Sequence, residues 1–283
     1  MSQRPPSFDL VVATVGRTDE LARFLDALAG QSDANVRVIL VDQNEDARLD
    51  AVIAARPLQI ERIRGPLGLS RARNAGLTLL SADLVAFPDD DCVYPPGLLA
   101  RVAERLDAEP ALAGVTGRPE DAHGRTAASW KDDGAILTDD NLWNRAISFT
   151  IFVRRDVVDK VGPFDEELGL GAGTPWSSGE EIDYLVRAVR SGARIEYDPS
   201  LIVEHEVRAD DARIGARDGA SVGYLLRKHR YPLRVVSRML VRPLGGAALS
   251  LLHRDLPRSR YHLATLRGRM RGYRGAKRSN SSA

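Results

Sequence analysis

The fold is decided by an apolar run near the N-terminus, Phe8-Asp-Leu-Val-Val-Ala-Thr14. A run of this kind, rich in β-branched residues, is typical of a strand buried inside a parallel sheet. Further strands are predicted at residues 36–41, 59–64 and 83–87, and amphipathic helical segments separate the strands or follow the last one, at 19–28, 48–55, 70–80 and 98–107. This alternation predicts an α/β fold with a doubly wound, mostly parallel sheet and right-handed crossovers.

Charge divides the chain into two parts. The 283 residues contain 40 Lys and Arg against 39 Asp and Glu, a balance that argues against a basic nucleic-acid-binding protein. Residues 1–206, however, hold 35 acidic and 22 basic side chains, whereas residues 207–283 hold 4 acidic and 18 basic ones. We therefore predict a globular domain over 1–206 and a basic helical segment over 207–283 that forms a separate interaction surface.

Several classes of protein are excluded by simple counts. The single cysteine, Cys92, excludes an intramolecular disulfide and a cysteine-based zinc site. Residues 1–9 lack the apolar run of a signal peptide, which predicts a cytoplasmic location. The longest late apolar stretch without a charge, residues 243–252, is shorter than the roughly 18 residues that cross a bilayer.

Polar clusters follow three of the predicted strands: Thr14-Val-Gly-Arg17, Asp42-Gln-Asn44 and Asp89-Asp-Asp91. Ligands of open parallel sheets bind outside the carboxyl ends of the strands, so we expect these clusters to meet in one crevice. In an extended segment Asp89 and Asp91 point the same way, and Mg²⁺ or Mn²⁺ would relieve the repulsion between the carboxylates. A solvated acidic turn is the alternative.

The second half of the chain adds carboxylates and a histidine. Glu180-Glu-Ile-Asp183 lies between a Gly-rich stretch, 169–179, and a helical pattern over 184–190. These carboxylates either cap the helix or supply a general base beside a mobile loop. His205 follows a strand-like run, 201–203, that starts after Asp198-Pro199, and it is either structural or a metal ligand.

Three side chains after Gly68, Arg71, Arg73 and Asn74, are candidates for phosphate contacts, with a solvated helix face as the alternative. Trp176 either offers a flat face to a sugar ring or lies in the core. The sequence contains no Walker-type loop, no G-x-G-x-x-G, no H-E-x-x-H and no G-x-S-x-G motif, so the chemistries of those motifs have no support.

Taken in order, these motifs closely resemble those of family 2 glycosyltransferases with the GT-A fold, over about residues 8–206. In the first half the resemblance rests on Thr14-Val-Gly-Arg17, Asp42, Gly68-Leu-Ser-Arg-Ala-Arg-Asn-Ala-Gly76 and Phe87-Pro-Asp-Asp-Asp91. In the second half it rests on Val161-Gly-Pro-Phe-Asp-Glu166, Gly179-Glu-Glu-Ile-Asp183, Gly192, Tyr197-Asp-Pro199 and Val203-Glu-His205. The resemblance implies a GT-A (Rossmann-like) catalytic domain with a nucleotide-sugar-binding half over 8–110 and an acceptor half over 111–206.

The resemblance also implies an inverting transfer of a sugar from a nucleoside diphosphate donor, with Mn²⁺ or Mg²⁺, to a hydroxyl of a glycan or lipid-linked acceptor in polysaccharide or glycolipid synthesis. UDP is the family-level expectation for the nucleotide, with dTDP and GDP open. The implied donor contacts are Thr14, Val15, Arg17, Asp42, Arg71, Asn74, Asp89, Asp90 and Trp176. Asp91, Asp89 and His205 would hold the metal ion.

One departure from the family concerns the general base. The family commonly has Glu-Asp where this chain has Glu180-Glu181, and the aspartate is the base. Glu181 is therefore implied as the base that removes the proton of the acceptor hydroxyl, with Asp183 as the alternative. The Gly-rich stretch that contains Trp176 would order over the donor and exclude water.

Apolar and basic residues alternate at helical spacing in the segment 207–283. The pattern favours contact with an anionic membrane surface, which would suit a lipid-linked acceptor and a peripheral location on the inner face of the cell membrane. The alternative is a helical pair that packs on the catalytic domain or in a dimer. Nucleic acid is not expected, because the segment lacks interleaved aromatic platforms.

Two other functions would each explain part of the sequence. A nucleotidyltransferase on a related sheet would explain the aspartate cluster but not Gly179–Asp183 followed by His205. A non-catalytic carbohydrate- or membrane-binding protein with a degenerate site would not need to keep Asp89, Asp91, Glu181 and His205 together.

Overall fold

A computed structural model of the protein describes residues 7–31, 34–127, 129–206 and 211–275. Within these ranges the strands are β1 (Ser7–Thr14), β2 (Asn35–Asp42), β3 (Gln59–Arg64), β4 (Leu84–Ala86), β5 (Gly114–Glu120), β6 (Ala135–Ile136), β7 (Ile151–Arg154) and β8 (Ile195–Glu204). The α-helices are α1 (Asp19–Ala29), α2 (Asp50–Ala54), α3 (Leu69–Leu77), α4 (Leu98–Ala108), α5 (Arg155–Val161), α6 (Glu180–Arg190), α7 (Ala212–Lys228), α8 (Leu233–Leu252) and α9 (Leu256–Gly275).

The strands form one eight-stranded sheet in the order β3-β2-β1-β4-β7-β5-β8-β6. Strands β3, β2, β1 and β4 are parallel neighbours, as are β5 and β8, while β7 and the short edge strand β6 run antiparallel to their neighbours. The predicted doubly wound, mostly parallel α/β sheet is confirmed.

Strand β1 lies at the centre of the parallel half because its side chains are apolar on both faces. Leu10, Val11 and Val12 are fully buried, as expected for a strand covered by helices on both sides. A Cβ on Gly76 of α3 would lie only 2.5 Å from Cγ1 of Val11, so α3 packs against the sheet at a distance that only glycine permits. The Gly68-to-Gly76 run therefore fixes the position of α3 as well as its start.

Several element bounds differ from the predicted ones. Helices α2 and α3 are shorter than the predicted segments 48–55 and 70–80. The prediction that a strand starts only after Asp198-Pro199 is wrong, because β8 begins at Ile195 and runs through both residues. The pairing register with β5 shifts between Thr116 and Arg118, opposite this point, and such an irregularity accommodates a proline without a ladder hydrogen bond.

The described chain divides into two compact units. The first comprises residues 7–164 and 184–206 and contains the whole sheet, and the second comprises residues 165–183 and 211–275. The second unit thus includes residues 165–183, which precede the predicted domain boundary at residue 206. Residues 207–210 and 276–283 of the predicted basic segment lie outside the described residues.

Helices α7 and α9 of the second unit pack at backbone contact. Gly215, Gly219 and Gly223 recur every fourth residue on α7 and lie against the backbone of α9, while Gly268 and Gly272 of α9 lie against the backbone of α7. A Cβ on Gly219 would lie 2.5 Å from the carbonyl oxygen of Thr265. Small residues at this spacing allow two helix backbones to approach closely, so the sequence predetermines the pairing of α7 with α9.

Helix α8 differs from the expectation that no late segment is long enough to cross a bilayer. Its 20 residues have the length and apolar composition of a membrane-crossing helix, a property it shares with buried helices of soluble proteins. Arg238 and Arg242 interrupt its apolar sequence, so the longest stretch without a charge is shorter than the helix itself.

Candidate active site

The carboxyl ends of the central strands meet as predicted. Thr14 pairs with Asp42 at the last position of the β1–β2 ladder, and Asp89 pairs with Ala13 in a parallel bridge beyond the end of β4. The backbone N–H of Gly16 donates to Oδ1 of Asn44 at 2.7 Å, which joins the loop after β1 to the loop after β2. These contacts place the three polar clusters at one edge of the sheet.

Asp89, Asp91 and His205 form a cluster that we call the strand-end cluster. One ligand atom from each residue lies within 4.8 Å of the others, and all three residues are partly buried. Nε2 of His205 lies 3.3 Å from Oδ1 of Asp91. Two carboxylates and an imidazole at this separation are a ligand set that suits Mn²⁺ or Mg²⁺, so the residues present fit the predicted metal ion.

His205 reaches the cluster because two elements hold the end of β8 in place. Val93, just after the aspartate triplet, exchanges backbone hydrogen bonds with Glu204, and the N–H of His205 donates to the carbonyl oxygen of Glu120 at 2.8 Å. The imidazole ring stacks on the ring of Phe149 with a centroid distance of 4.5 Å and an interplanar angle of 9°. The ring is therefore oriented by packing, with Nε2 directed at Asp91.

Two arginines compensate the crowded carboxylates. Nη1 of Arg17 donates to both Asp90 and Asp91 at 2.6 Å, and Nη2 of the fully buried Arg73 donates to Oδ1 of Asp89 at 3.0 Å. The hydroxyl of Ser148 lies 3.2 Å from the same Asp89 oxygen. Charge-assisted bonds of this kind explain how three adjacent aspartates are held at the end of an apolar strand.

The surroundings shift the pKa values of the cluster in opposite directions. Burial raises the pKa of the Asp91 carboxyl, but the hydrogen bond and charge of His205, together with Arg17, outweigh it and lower the pKa below its ordinary value. Burial lowers the pKa of His205, whereas Asp91 and Asp89 raise it by more. Burial also raises the pKa of Asp90, and the Thr14 hydroxyl and Arg17 oppose this without cancelling it.

Asp42 is buried and carries a full set of partners. Its Oδ1 accepts from the backbone N–H and the side-chain amide of Asn44, both at 2.8 Å, and its Oδ2 pairs with Arg62 at 2.5 Å and Arg64 at 2.8 Å. Burial raises the pKa of this carboxyl, and the bonds from Asn44 and Arg62 lower it by more, so the group stays ionised. The sequence places Asn44 in the polar cluster after β2, but Arg62 and Arg64 were not predicted as partners of Asp42.

The residues of α3 separate into different environments. Arg73 reaches the strand-end cluster, whereas a guanidinium nitrogen of Arg71 lies 3.3 Å from the carbonyl oxygen of Leu67. The amide of Asn74 donates to the carbonyl oxygen of Phe164 at 3.0 Å and accepts its N–H at 2.7 Å. Val15 is exposed beside this edge. The helical period already distinguishes Arg71 from Arg73, but only the packing of α3 shows which one faces the carboxylates.

The remaining predicted residues lie in the segment 165–183. Glu181 is partly exposed in the first turn of α6, which begins at Glu180 rather than near Tyr184 as the helical pattern predicted. Asp183 is fully buried, and its Oδ1 pairs with Nζ of Lys228 and with Nε2 of His229. Trp176 stacks on Tyr224 at a centroid distance of 4.9 Å, so one face of its indole is already covered.

The family model described as glycosyl transferase family 2 matches residues 9–162. The chain belongs to this family. Among its relatives, the pre-mycofactocin glycosyltransferase of Mycobacterium tuberculosis is 27% identical over 227 residues, which cover 72% of this chain but only 45% of that protein. The chain thus spans less than half the length of this relative. The succinoglycan biosynthesis protein ExoM of Rhizobium meliloti is 27% identical over 245 residues, or 80% of this chain and 77% of ExoM.

Solved structures of glycosyltransferases share the fold. The mannosyltransferase PcManGT from Pyrobaculum calidifontis, in complex with GDP-Man and Mn²⁺, has a TM-score of 0.63 at 14% identity, over 94% of this chain and 88% of that one. TarS from S. aureus, in complex with UDP-GlcNAc, has a TM-score of 0.61 at 16% identity, over 92% and 90% of the two chains. The fold of this family 2 chain is therefore GT-A, as the sequence predicted.

Proposed function

We propose that this family 2 chain is an inverting glycosyltransferase that moves a sugar from a nucleoside diphosphate donor to an acceptor hydroxyl. The observation that supports it best is the strand-end cluster, Asp89, Asp91 and His205, set where parallel strands bind ligands. Arg17 and Arg73 already contact these carboxylates and would remain near a bound diphosphate. Thr14, Val15 and Asp42 lie at the same edge and would border the nucleoside.

Asp91, Asp89 and His205 would hold the divalent cation, Mn²⁺ or Mg²⁺. When bound, such a cation supplies positive charge that stabilises the diphosphate leaving group. Arg17 contributes to the same end from the protein itself, because its guanidinium can pass from Asp90 and Asp91 to a phosphate oxygen in the bidentate geometry that arginine favours.

Glu181 is proposed as the general base. In an inverting displacement the acceptor oxygen bonds to the anomeric carbon while the bond to the diphosphate oxygen breaks, and the hydroxyl proton passes to a carboxylate. Glu181 is partly exposed and can accept this proton, whereas the Asp183 carboxylate is buried and already accepts from Lys228. The alternative assignment, Asp183 as base, is disfavoured by these partners.

The identity of donor and acceptor is proposed only by class. The neighbouring structures were solved with UDP-GlcNAc in one case and with GDP-Man in the other, and UDP remains the first expectation for this chain. A relative named for succinoglycan biosynthesis supports a glycan or lipid-linked acceptor in polysaccharide synthesis. We expect the enzyme to act in the cytoplasm.

Screening of nucleoside diphosphates by thermal shift tests the proposal. We expect UDP with Mn²⁺ to raise the melting temperature, since a ligand at 100 times its Kd adds about 2.7 kcal/mol to the free energy of unfolding. Asp91→Ala should weaken the shift, while Asp107→Ala, which removes an exposed carboxylate on α4, should not. If neither UDP, GDP nor dTDP stabilises the wild type with or without metal, the proposal is wrong.

Product analysis separates the two enzyme classes. A glycosyltransferase releases the nucleoside diphosphate from a nucleotide sugar, whereas a nucleotidyltransferase joins a nucleotide to a sugar phosphate and releases pyrophosphate. A chain that binds nucleotide and metal but releases neither product would instead be the non-catalytic binding protein.

We also propose that the second unit rests on an anionic membrane surface at the inner face of the cell membrane. The C-terminal half of α8 has no charged residue between Pro243 and Leu252, and Leu244, Leu249, Leu251 and Leu252 are 46% to 80% exposed. Exposed arginines flank this apolar patch: Arg238, Arg242, Arg254, Arg258 and Arg260. An apolar patch edged with cations fits a lipid interface with anionic headgroups.

A further inference from the structure

The segment 165–183 belongs to the same compact unit as the three C-terminal helices. It contains the Gly-rich stretch, Trp176 and the first turn of α6, where Glu181 lies. Its partners within this unit therefore decide how the proposed base is held.

The last turn of α7 holds the end of this segment through one buried carboxylate. Asp183 is fully buried, and its Oδ1 lies 2.5 Å from Nζ of Lys228 and 2.8 Å from Nε2 of His229. The same Nζ lies 2.5 Å from Oδ2 of Asp165, at the start of the segment. One ammonium thus joins the first residue of the segment to the last.

Tyr224 and Leu225 of α7 add three further contacts. The hydroxyl of Tyr224 donates to Oε2 of Glu167 at 2.9 Å, and its ring stacks on Trp176. Gly179 has a φ of +86°, and a Cβ there would lie 2.9 Å from Cδ1 of Leu225, so the turn before α6 closes directly against α7. Residues at both ends and in the middle of the segment therefore contact side chains of one helix.

The geometry of a helix relates this attachment to Glu181. Residues two apart on an α-helix point about 200° apart around its axis. Because Asp183 is turned into the unit and held by Lys228, the Glu181 side chain is directed to the opposite side of the same turn, where it is partly exposed. The contacts of Asp183 with Lys228 and His229 thus set the rotation of the first turn of α6 and the direction of the Glu181 carboxylate.

We propose that Lys228 and His229 are positioning residues that orient Glu181 through Asp183. The proposal rests on the proposed function, in which Glu181 is the base. A buried carboxylate that loses a cationic partner is strongly destabilised, so the first turn of α6 should loosen when Lys228 is lost.

The test uses the full-length chain with Lys228→Met, Lys228→Arg and His229→Gln. Arg213→Met is the matched control, because it removes one exposed cation from the other end of α7. Amide hydrogen exchange over 165–183, without ligand, reports the anchoring itself. We expect exchange at least about tenfold faster in Lys228→Met, less in Lys228→Arg, and no change in Arg213→Met.

Turnover is measured as nucleotide released from UDP-GlcNAc and from GDP-mannose with Mn²⁺. We expect Lys228→Met to lower kcat about 10- to 100-fold with the KM for the donor nearly unchanged, since a misplaced reacting group costs up to about 100-fold. Lys228→Arg should recover part of the loss. In a protein that already carries Glu181→Gln, Lys228→Met should lower kcat little further, because a positioning residue acts through the base that it positions.

Two results would overturn the inference. The first is unchanged amide exchange over 165–183 in both Lys228→Met and His229→Gln. The second is a double variant, Lys228→Met with Glu181→Gln, whose loss of kcat equals the product of the losses in the two single variants. Full turnover by Glu181→Gln would count against the proposed base instead, and the exchange data would then show separately whether Lys228 anchors the segment.

Discussion

Asp89 and Asp91 illustrate how a crowded set of carboxylates is held in place. Each has a cationic partner in the protein, Arg73 for Asp89 and Arg17 for Asp91, and Arg17 also spans to Asp90. We propose that the same arginines also contact a bound diphosphate, because a guanidinium matches phosphate oxygens in bidentate geometry.

Replacing Glu181 by Gln removes the proposed base without changing the shape of the side chain. We expect turnover of the nucleotide sugar to fall about 100- to 10,000-fold, because general-base catalysis contributes on that order. Donor binding, measured by the thermal shift with nucleoside diphosphate and Mn²⁺, should be unchanged.

Glu104→Gln is the control for this change, since it neutralises an exposed glutamate on α4. Wild-type turnover in Glu181→Gln, with normal folding, would rule out the assignment of Glu181 as the base.

Asp9 lies on β1, between β2 and β4 of the sheet. Its carboxylate is almost fully buried and accepts from Arg37 on β2 and from the backbone N–H groups of Ser81 and Ala82. Burial raises the pKa of Asp9, but these bonds lower it by more, so the folded-state pKa lies below the ordinary 3.8. Its stabilisation is therefore present above about pH 3.8 and is lost as the pH falls through the folded-state pKa.

Asp9→Asn should lower the free energy of unfolding by ~3 kcal/mol near neutral pH, since it leaves Arg37 without its buried partner. The deficit should shrink as the pH falls below 4, when wild-type Asp9 itself becomes protonated. Urea unfolding at several pH values measures both effects. Asp26→Asn, which breaks the exposed pair with Arg56, should cost less than about 1 kcal/mol, and an equal cost in both variants would contradict the role of burial.

At the scale of elements, the α7–α9 pair shows how glycine spacing specifies a contact between helices. Glycines at every fourth position on α7 bring its backbone against carbonyl groups of α9. The pairing therefore depends on the absence of side chains, which a hydrophobic pattern does not reveal.

Two glycine-to-alanine changes test this directly. Gly219→Ala should destabilise the protein by at least ~1–3 kcal/mol, because the new Cβ would lie 2.5 Å from the Thr265 carbonyl oxygen. Gly245→Ala in α8 meets open space and should instead stabilise by up to ~1 kcal/mol, the gain in helix propensity. Melting curves of the two variants should shift in opposite directions, and equal shifts would show that α7 and α9 are not tightly packed.

At the scale of the whole molecule, the near-zero net charge is the sum of two opposite parts. The acidic part contains the strand-end cluster, and the basic part contains the helices that hold the segment 165–183 and present the apolar patch of α8. The basic part therefore has two proposed roles, one in positioning the base and one at the membrane.

Co-sedimentation with phosphatidylserine vesicles tests the membrane role. We expect the protein to pellet at low salt and to be released as salt rises, since each basic residue near the surface contributes about 1 kcal/mol. Replacing both Leu249 and Leu252 by Ser should abolish binding, whereas Leu67→Ser, an equally exposed leucine of the first unit, should not. Binding that is unaffected by the double change, or a salt-independent dimer that buries α8, would refute the membrane contact.

The sequence by itself determined the sheet, the edge at which its polar clusters meet and the identity of the strand-end cluster. It could do so because the order of strands places their carboxyl ends at one edge, and residues that follow those strands can lie nowhere else. The sequence did not predict the start of β8, because whether a strand tolerates Pro199 depends on its pairing register with the neighbouring strand β5.

Only the tertiary structure decided which residues contact the cluster and which residues the C-terminal helices contact. Arg73 rather than Arg71 reaches Asp89 because the rotation of α3 is set by Gly76 against Val11, a contact between distant parts of the chain. Likewise the pairing of Asp183 with Lys228 and His229 joins residues 45 and 46 positions apart. From composition alone these helices are only basic and apolar. The lysine and histidine that contact Asp183 have the same chemistry as basic side chains that face solvent, so the sequence does not distinguish them.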